Sequence, residues 1–256
     1  MSEYKNIIID KSESIARITL NRPPLNVLNI EAMKEITAAL EGLVNDNNIK
    51  MVVFLANGKA FSAGVDVSEH MGNKAAEMIK SFHDIFRTMI KLNKLTLAVV
   101  NGSAIGGGCE LVAFCDFIIA SEASKFGQPE IQVGVLPPIA CIIFPQIIAR
   151  KKALELLLSG ALISAAEAEQ IGLINKCVPA DKLDEEATKF INKFNGLSSV
   201  VLAHTRQATL GRFNKEFLDY LTEVEDNYLN KLMKTEDANE GLKAFLEKRK
   251  PEWKNK

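Results

Sequence analysis

Two glutamates sit where a carboxylate could do acid–base work. Glu110 follows Gly106-Gly107-Gly108-Cys109 and falls in the first turn of an expected helix. Glu130 ends the run Phe126-Gly127-Gln128-Pro129-Glu130, between apolar stretches. Two close carboxyls favour sharing one proton, because burial and mutual repulsion both oppose a second charge. One member can then take a proton while the other gives one. The glycine triple lies after an apolar strand and before a helix. A helix start offers unpaired N–H groups and the positive end of the helix dipole, which suit a phosphate or a developing oxyanion. The spacing fits neither G-x-G-x-x-G nor G-x-x-x-x-G-K-[ST], so a phosphate loop is the weaker reading. Singly, each feature has a plain structural role: Glu110 complements the dipole, Glu130 is a solvated turn residue, and the glycines shape a turn.

Other reactive side chains offer less. Cys109, Cys115, Cys141 and Cys177 form no C-x-x-C pair, and no two histidines stand at helical ligand spacing. Metal and redox motifs are therefore unsupported, and the cysteines are expected to be buried free thiols. His70 and His83 are expected at the surface or on helix sides, with His70 able to reach the rim of the loop before it. The run Lys248-Arg249-Lys250 reads as a solvated terminus. The formal net charge of −1 provides no global field for nucleic acid or an anionic membrane. The start lacks the apolar stretch of a signal peptide, and the apolar region 131–149 is interrupted by Pro137, Pro138 and Pro145. A cytoplasmic protein without a membrane span is the expectation.

The elements around the glutamates read as an α/β chain. Strands are expected over 6–10, 14–20, 50–56, 96–100 and 116–120, with helices over Ile30–Val44 and 77–92 between them. The run Met51-Val52-Val53-Phe54-Leu55 is apolar throughout, as in a strand covered on both faces. Alternation of strand and helix argues for parallel pairing. Beyond Pro138 the chain is mainly helical, with a capping box at Ser164-Ala165-Ala166-Glu167 and one late strand over 173–178. Helices are expected over 182–194, 198–210, 214–234 and Glu236–Leu246. The domain reading is a core over 1–195 and a helical region over 196–256.

In combination these segments resemble the crotonase, or enoyl-CoA hydratase/isomerase, superfamily over nearly the whole chain. Asn21-Arg22-Pro23 is similar to its early turn. The segment 61–67 is similar to its first oxyanion and CoA loop, and Gly106 to Glu110 to the second. The segment 126–130 follows at the family's spacing. Ser164 to Ala168, Gly172-Leu173-Ile174 and the segment 245–251 are similar to its later signatures. The resemblance implies a spiral of ββα turns with a C-terminal helical trimerisation region, assembled as a homotrimer or a dimer of trimers. It implies catalytic roles for Glu110 and Glu130 and an oxyanion hole from the N–H groups of Val65 and Gly107. Ala63, Asp66 and Val67 would line the adenine and pantetheine of CoA. Phe245 and Lys248 would reach a neighbouring subunit's CoA. No metal or redox cofactor is implied; coenzyme A enters as part of the substrate.

One stretch departs from the family pattern. Where hydratases of the family carry glycines after a proline, this chain reads Pro137-Pro138-Ile139-Ala140-Cys141. Pro138 has no N–H to donate, so any amide contact there must be lost or replaced. Such a turn resembles that of the cyclic dienoyl-CoA hydratases of anaerobic aromatic degradation. The resemblance therefore implies addition of water to a conjugated acyl-CoA, such as cyclohexa-1,5-diene-1-carbonyl-CoA. A general short-chain enoyl-CoA hydratase is the alternative. An isomerase, a ring hydrolase and a non-catalytic acyl-CoA or RNA binder are further alternatives. Of these, the RNA binder is disfavoured because Lys34 is the one basic residue in Ile30–Val44.

Overall fold

The computed structural model describes residues 4–256. Three long strands each run into a short one, and this step repeats along the chain. The long strands β3 (Met51–Ala56), β5 (Leu95–Val100) and β7 (Phe117–Ser121) join β1 (Ile7–Ser12), β2 (Ile15–Leu20) and β10 (Lys176–Val178) in a six-stranded sheet, in the order β1-β2-β3-β5-β7-β10. Its first pair is antiparallel and the rest are parallel. The short strands β4 (Ala60–Ser62), β6 (Ser103–Ile105), β8 (Lys125–Gly127) and β9 (Leu162–Ser164) form a second sheet in that order. Helix α2 (Lys74–Leu92) follows β4, and α3 (Gly107–Ala113) follows β6. This is the expected spiral of ββα turns.

The buried apolar strands are where the sequence placed them, since β5 is covered along its whole length. Helix α1 (Ile30–Val44) turns Met33, Ile36, Leu40 and Leu43 into the core and is capped by Asn29, whose side chain accepts from Ala32 N at 3.0 Å. The second sheet is what the sequence does not announce. Its strands are three residues long, too short for an alternating pattern to register.

Two further differences concern helices. The sequence divides the late helical region at Gly211, but α8 runs unbroken from Ser199 to Asp226. An interior glycine costs a helix about 1 kcal/mol, which packing overrides here. Helix α8 then continues into a wider π turn, Asn227–Lys231. Between β9 and β10 lies α6 (Ala165–Gln170), which carries the expected capping box between Ser164 and Glu167. Cys109 and Cys115 are buried free thiols as expected, whereas Cys141 and Cys177 are only partly covered. His83 is fully buried on α2, which corrects the surface placement. Among the described residues no helix is long and apolar enough to cross a membrane.

Candidate active site

The ends of β4, β6 and β8 deliver their following residues to one cavity of about 410 Å³. After β4 comes Gly64-Val65, after β6 comes Gly106-Gly107, and after β8 comes a short 3-10 turn, Pro129–Val133, carrying Glu130. Leu28 and Val65 form an isolated parallel bridge, in which Leu28 N donates to the Gly64 carbonyl at 2.9 Å and Asp66 N to the Leu28 carbonyl at 3.0 Å. The bridge fixes the first loop without using the Val65 N–H. Gly107 is the first residue of α3, so its N–H has no partner one turn back. Among the described residues neither N–H donates to a protein group.

Two glycines are needed for close approach. A Cβ on Gly107 would lie 2.7 Å from Val65 Cγ2, so the two loops touch only because it is absent. Gly106 has φ of 54°, and a Cβ there would lie 2.5 Å from Glu130 Oε1. The carboxylate of Glu130 therefore rests against bare backbone.

Glu110 is buried within the first turn of α3. It accepts a hydrogen bond from the Ala140 N–H, with Oε1 at 2.9 Å. Helix α4 (Pro138–Ile147) begins at Pro138 and has no side-chain cap from its own segment. Proline suits a first helical position, and the free N–H groups of the following turn then point at Glu110. Pro138 itself has no N–H to offer, and the amide that reaches Glu110 is that of Ala140, two residues later.

Burial raises the Glu110 carboxyl, against the Ala140 and Ile139 N–H groups that favour its charged form, and pushes it up to about 7. Burial and the Glu110 charge together raise Glu130 well above the ordinary carboxylate range. Two carboxyls that both resist ionisation oppose the loss of both protons near neutral pH. Gln128 is fully buried beside them. Assigned with its nitrogen facing two acceptors, its side-chain amide donates to Glu130 Oε2 at 3.2 Å and to the Gly106 carbonyl at 3.3 Å.

Of the residues singled out from the sequence, Ala63, Val65, Val67, Gly107, Glu110, Glu130 and Phe245 line this cavity together. Asp66 lies just outside and caps the 3-10 turn Val67–His70, accepting from Ser68 N at 3.0 Å. Lys248 is exposed beyond the last helix, α9 (Glu236–Leu246), and does not line the cavity. Phe245 stands beside its own chain's cavity. Sequence reasoning missed Gln128 and Tyr228. The glutamine's place in the run before Glu130 was a usable signal; nothing local marks the tyrosine.

A family model described as enoyl-CoA hydratase/isomerase matches residues 10–256. The chain belongs to the enoyl-CoA hydratase/isomerase family. A probable enoyl-CoA hydratase of Mycobacterium tuberculosis is 37% identical over 255 residues, covering 98% of each chain. A cyclohexa-1,5-dienecarbonyl-CoA hydratase of Thauera aromatica is 34% identical over 249 residues, covering 97% of this chain and 96% of its own. Among solved structures, an enoyl-CoA hydratase from Mycobacterium avium subsp. paratuberculosis superposes with a TM-score of 0.89 at 27% identity, covering 99% of this chain and 100% of the other. An enzyme of the enoyl-CoA hydratase/isomerase family acts on an acyl-CoA thioester.

Proposed function

We propose that this protein adds water reversibly to a conjugated acyl-CoA, and that the acyl group is a cyclic diene such as cyclohexa-1,5-diene-1-carbonyl-CoA. The observation that supports hydration most is that Glu110 and Glu130 line one cavity with Val65 and Gly107, whose N–H groups are unspent. In this reading the thioester oxygen lies between the Val65 and Gly107 N–H groups. A donor of this kind contributes roughly 3–4 kcal/mol toward a developing oxyanion. The Glu110 carboxylate takes a proton from water as its oxygen bonds to the β-carbon. The π electrons move toward the thioester oxygen, and the protonated Glu130 gives its proton to the α-carbon. Glu110 ends protonated and Glu130 ionised, and the shared proton returns between them. Retention of both carboxyls favours hydration over double-bond isomerisation, which needs one.

The cyclic substrate is supported by the cavity wall. Leu136, Pro137 and Pro138 line it where small glycines would leave a different shape, and the Thauera relative is named for a cyclic diene. A short-chain linear substrate is the second reading, favoured by a relative from Clostridium acetobutylicum named short-chain-enoyl-CoA hydratase, 34% identical over 256 residues and 98% of each chain. Ala63, Asp66 and Val67 would hold the CoA at the cavity mouth, with Phe245 and Lys248 reaching the CoA of a neighbouring subunit. Coenzyme A is needed only as part of the substrate. Assembly into a homotrimer or hexamer belongs to the same reading, supported by exposed Val200 and Val201 on α8.

The test is incubation with crotonyl-CoA and, separately, cyclohexa-1,5-diene-1-carbonyl-CoA, following uptake of water by mass. Hydration of the cyclic diene at the higher kcat/KM is the expected result. Hydration of crotonyl-CoA alone overturns the cyclic assignment, and no water uptake by either overturns the hydratase reading.

A further inference from the structure

The cavity holds a polar pair that the two glutamates do not explain. His70 Nδ1 and the Tyr228 hydroxyl are hydrogen-bonded at 2.7 Å across 158 positions of sequence. Both residues line the same cavity as Glu110 and Glu130. The neighbouring wall is apolar: Met78, Ile79, Phe82, Leu136 and Leu242. Apolar side chains at positions 70 and 228 would build that wall without desolvating an imidazole and a phenol. Tyr228 is also fully buried, among the largest side chains of the core.

The pair has one hydrogen-bonding role left over. Burial lowers His70 to about 4, so the ring is neutral at pH 7. A neutral imidazole either accepts the phenol proton at Nδ1 or donates its own to the phenol oxygen. In the first case the phenol keeps oxygen lone pairs for another donor. In the second it keeps its O–H for another acceptor. The Tyr228 hydroxyl engages no other protein group among the described residues. Burial and, after it, the charges of Glu130 and Glu110 push the phenol's pKa up, so it stays neutral.

Its backbone setting is unusual as well. Tyr228 sits in the π turn after α8, where Leu232 N reaches back to the Asn227 carbonyl. An inserted residue of this kind re-aims the side chains of a helix and recurs at functional sites.

We propose that the Tyr228 hydroxyl, oriented by His70, is a specificity-determining contact for an oxygen carried by the acyl group, namely the hydroxyl that hydration installs. Tyr228 touches the ligand, and His70 is a positioning residue that acts through it. The choice of oxygen rests on the hydratase reading; the hydrogen-bonding role itself does not.

The experiment compares two ligands that differ by one oxygen, butyryl-CoA and 3-hydroxybutyryl-CoA. Affinities are measured by calorimetry in Glu130→Gln protein, where turnover is blocked, with and without Tyr228→Phe. The phenylalanine variant is expected to bind 3-hydroxybutyryl-CoA about 3- to 10-fold more weakly, the size of one hydrogen bond, with butyryl-CoA affinity unchanged. His70→Leu should show the same selective loss, and His70→Asn, whose amide can still meet the phenol, should recover part of it. An equal loss for both ligands makes the pair a structural tie and overturns the proposal. So does an unchanged preference. Absence of water uptake by the unmodified enzyme defeats the hydratase reading but leaves this binding comparison standing.

Discussion

The Ala140 N–H donates to Glu110 Oε1 at 2.9 Å, so one carboxyl both lines the cavity and caps helix α4. This double role separates two substitutions. Glu110→Gln keeps an oxygen for the Ala140 N–H but cannot take a proton. Its kcat should fall about 10²- to 10⁴-fold, with the fold intact. Glu110→Ala should lose the same activity and also the cap, a cost of about 1 kcal/mol. For a chain of this length that lowers Tm by about 2–4 °C. Turnover and thermal melts on both variants check this; equal Tm values would detach the carboxyl from α4.

Glu110 also sets a pH dependence of stability. Its folded pKa of about 7 lies above the ordinary value of 4.5. A carboxyl raised on folding is most favourable to the native state below its unfolded pKa. That contribution is lost as pH rises through 4.5 to about 7. Glu130 is raised too, which extends the window upward. Glu110→Gln should therefore match the parent protein near pH 4 and exceed its stability above pH 7 by about 1–3 kcal/mol. Denaturant titrations across that range measure the difference. A constant offset at all pH values would contradict it.

How legible all this was depended on the distance over which each signal acts. Apolar strands such as β5 and the amphipathic face of α1 are written in consecutive residues, and both were read correctly. The glutamates were legible because glycine and proline punctuation frames them. The three-residue strands were not, because pairing with neighbours rather than local pattern defines them. Gly211 suggested a break that packing removes. The partnership of His70 with Tyr228 joins residues 158 positions apart, and no local pattern encodes it.

Gly106 tests how tightly Glu130 must be held. A methyl group there meets Glu130 Oε1 at 2.5 Å, on backbone with φ of 54°. The side chain must move, and the Gln128 amide that holds its other oxygen must follow. A displacement of roughly 1 Å at a reacting group costs on the order of 10²-fold in rate. Gly106→Ala should therefore lose about 10²-fold in kcat while keeping its circular dichroism and much of its CoA affinity. Gln128→Leu should act in the same direction more mildly. Parent-like kcat in Gly106→Ala would show that Glu130 tolerates displacement.

Farther from the chamber, Arg206 and Asp116 anchor α8 to the sheet. Arg206 Nε lies 2.8 Å from Asp116 Oδ2, with both side chains largely buried. The same oxygen accepts from Thr96 N at 2.8 Å and Thr96 Oγ1 at 3.0 Å. Removing one ion of a buried pair leaves the other uncompensated, at a cost of about 3–5 kcal/mol. Arg206→Ala should be destabilised by that amount in urea titrations. Asp116→Ala should lose a similar amount, because it strands the guanidinium and the Thr96 donors. The two losses share one interaction, so the double variant should fall short of their sum. Full additivity would mean that the pair holds nothing together, and that the apolar residues of α8 alone, Phe217 and Leu221 among them, fix the helix to the core.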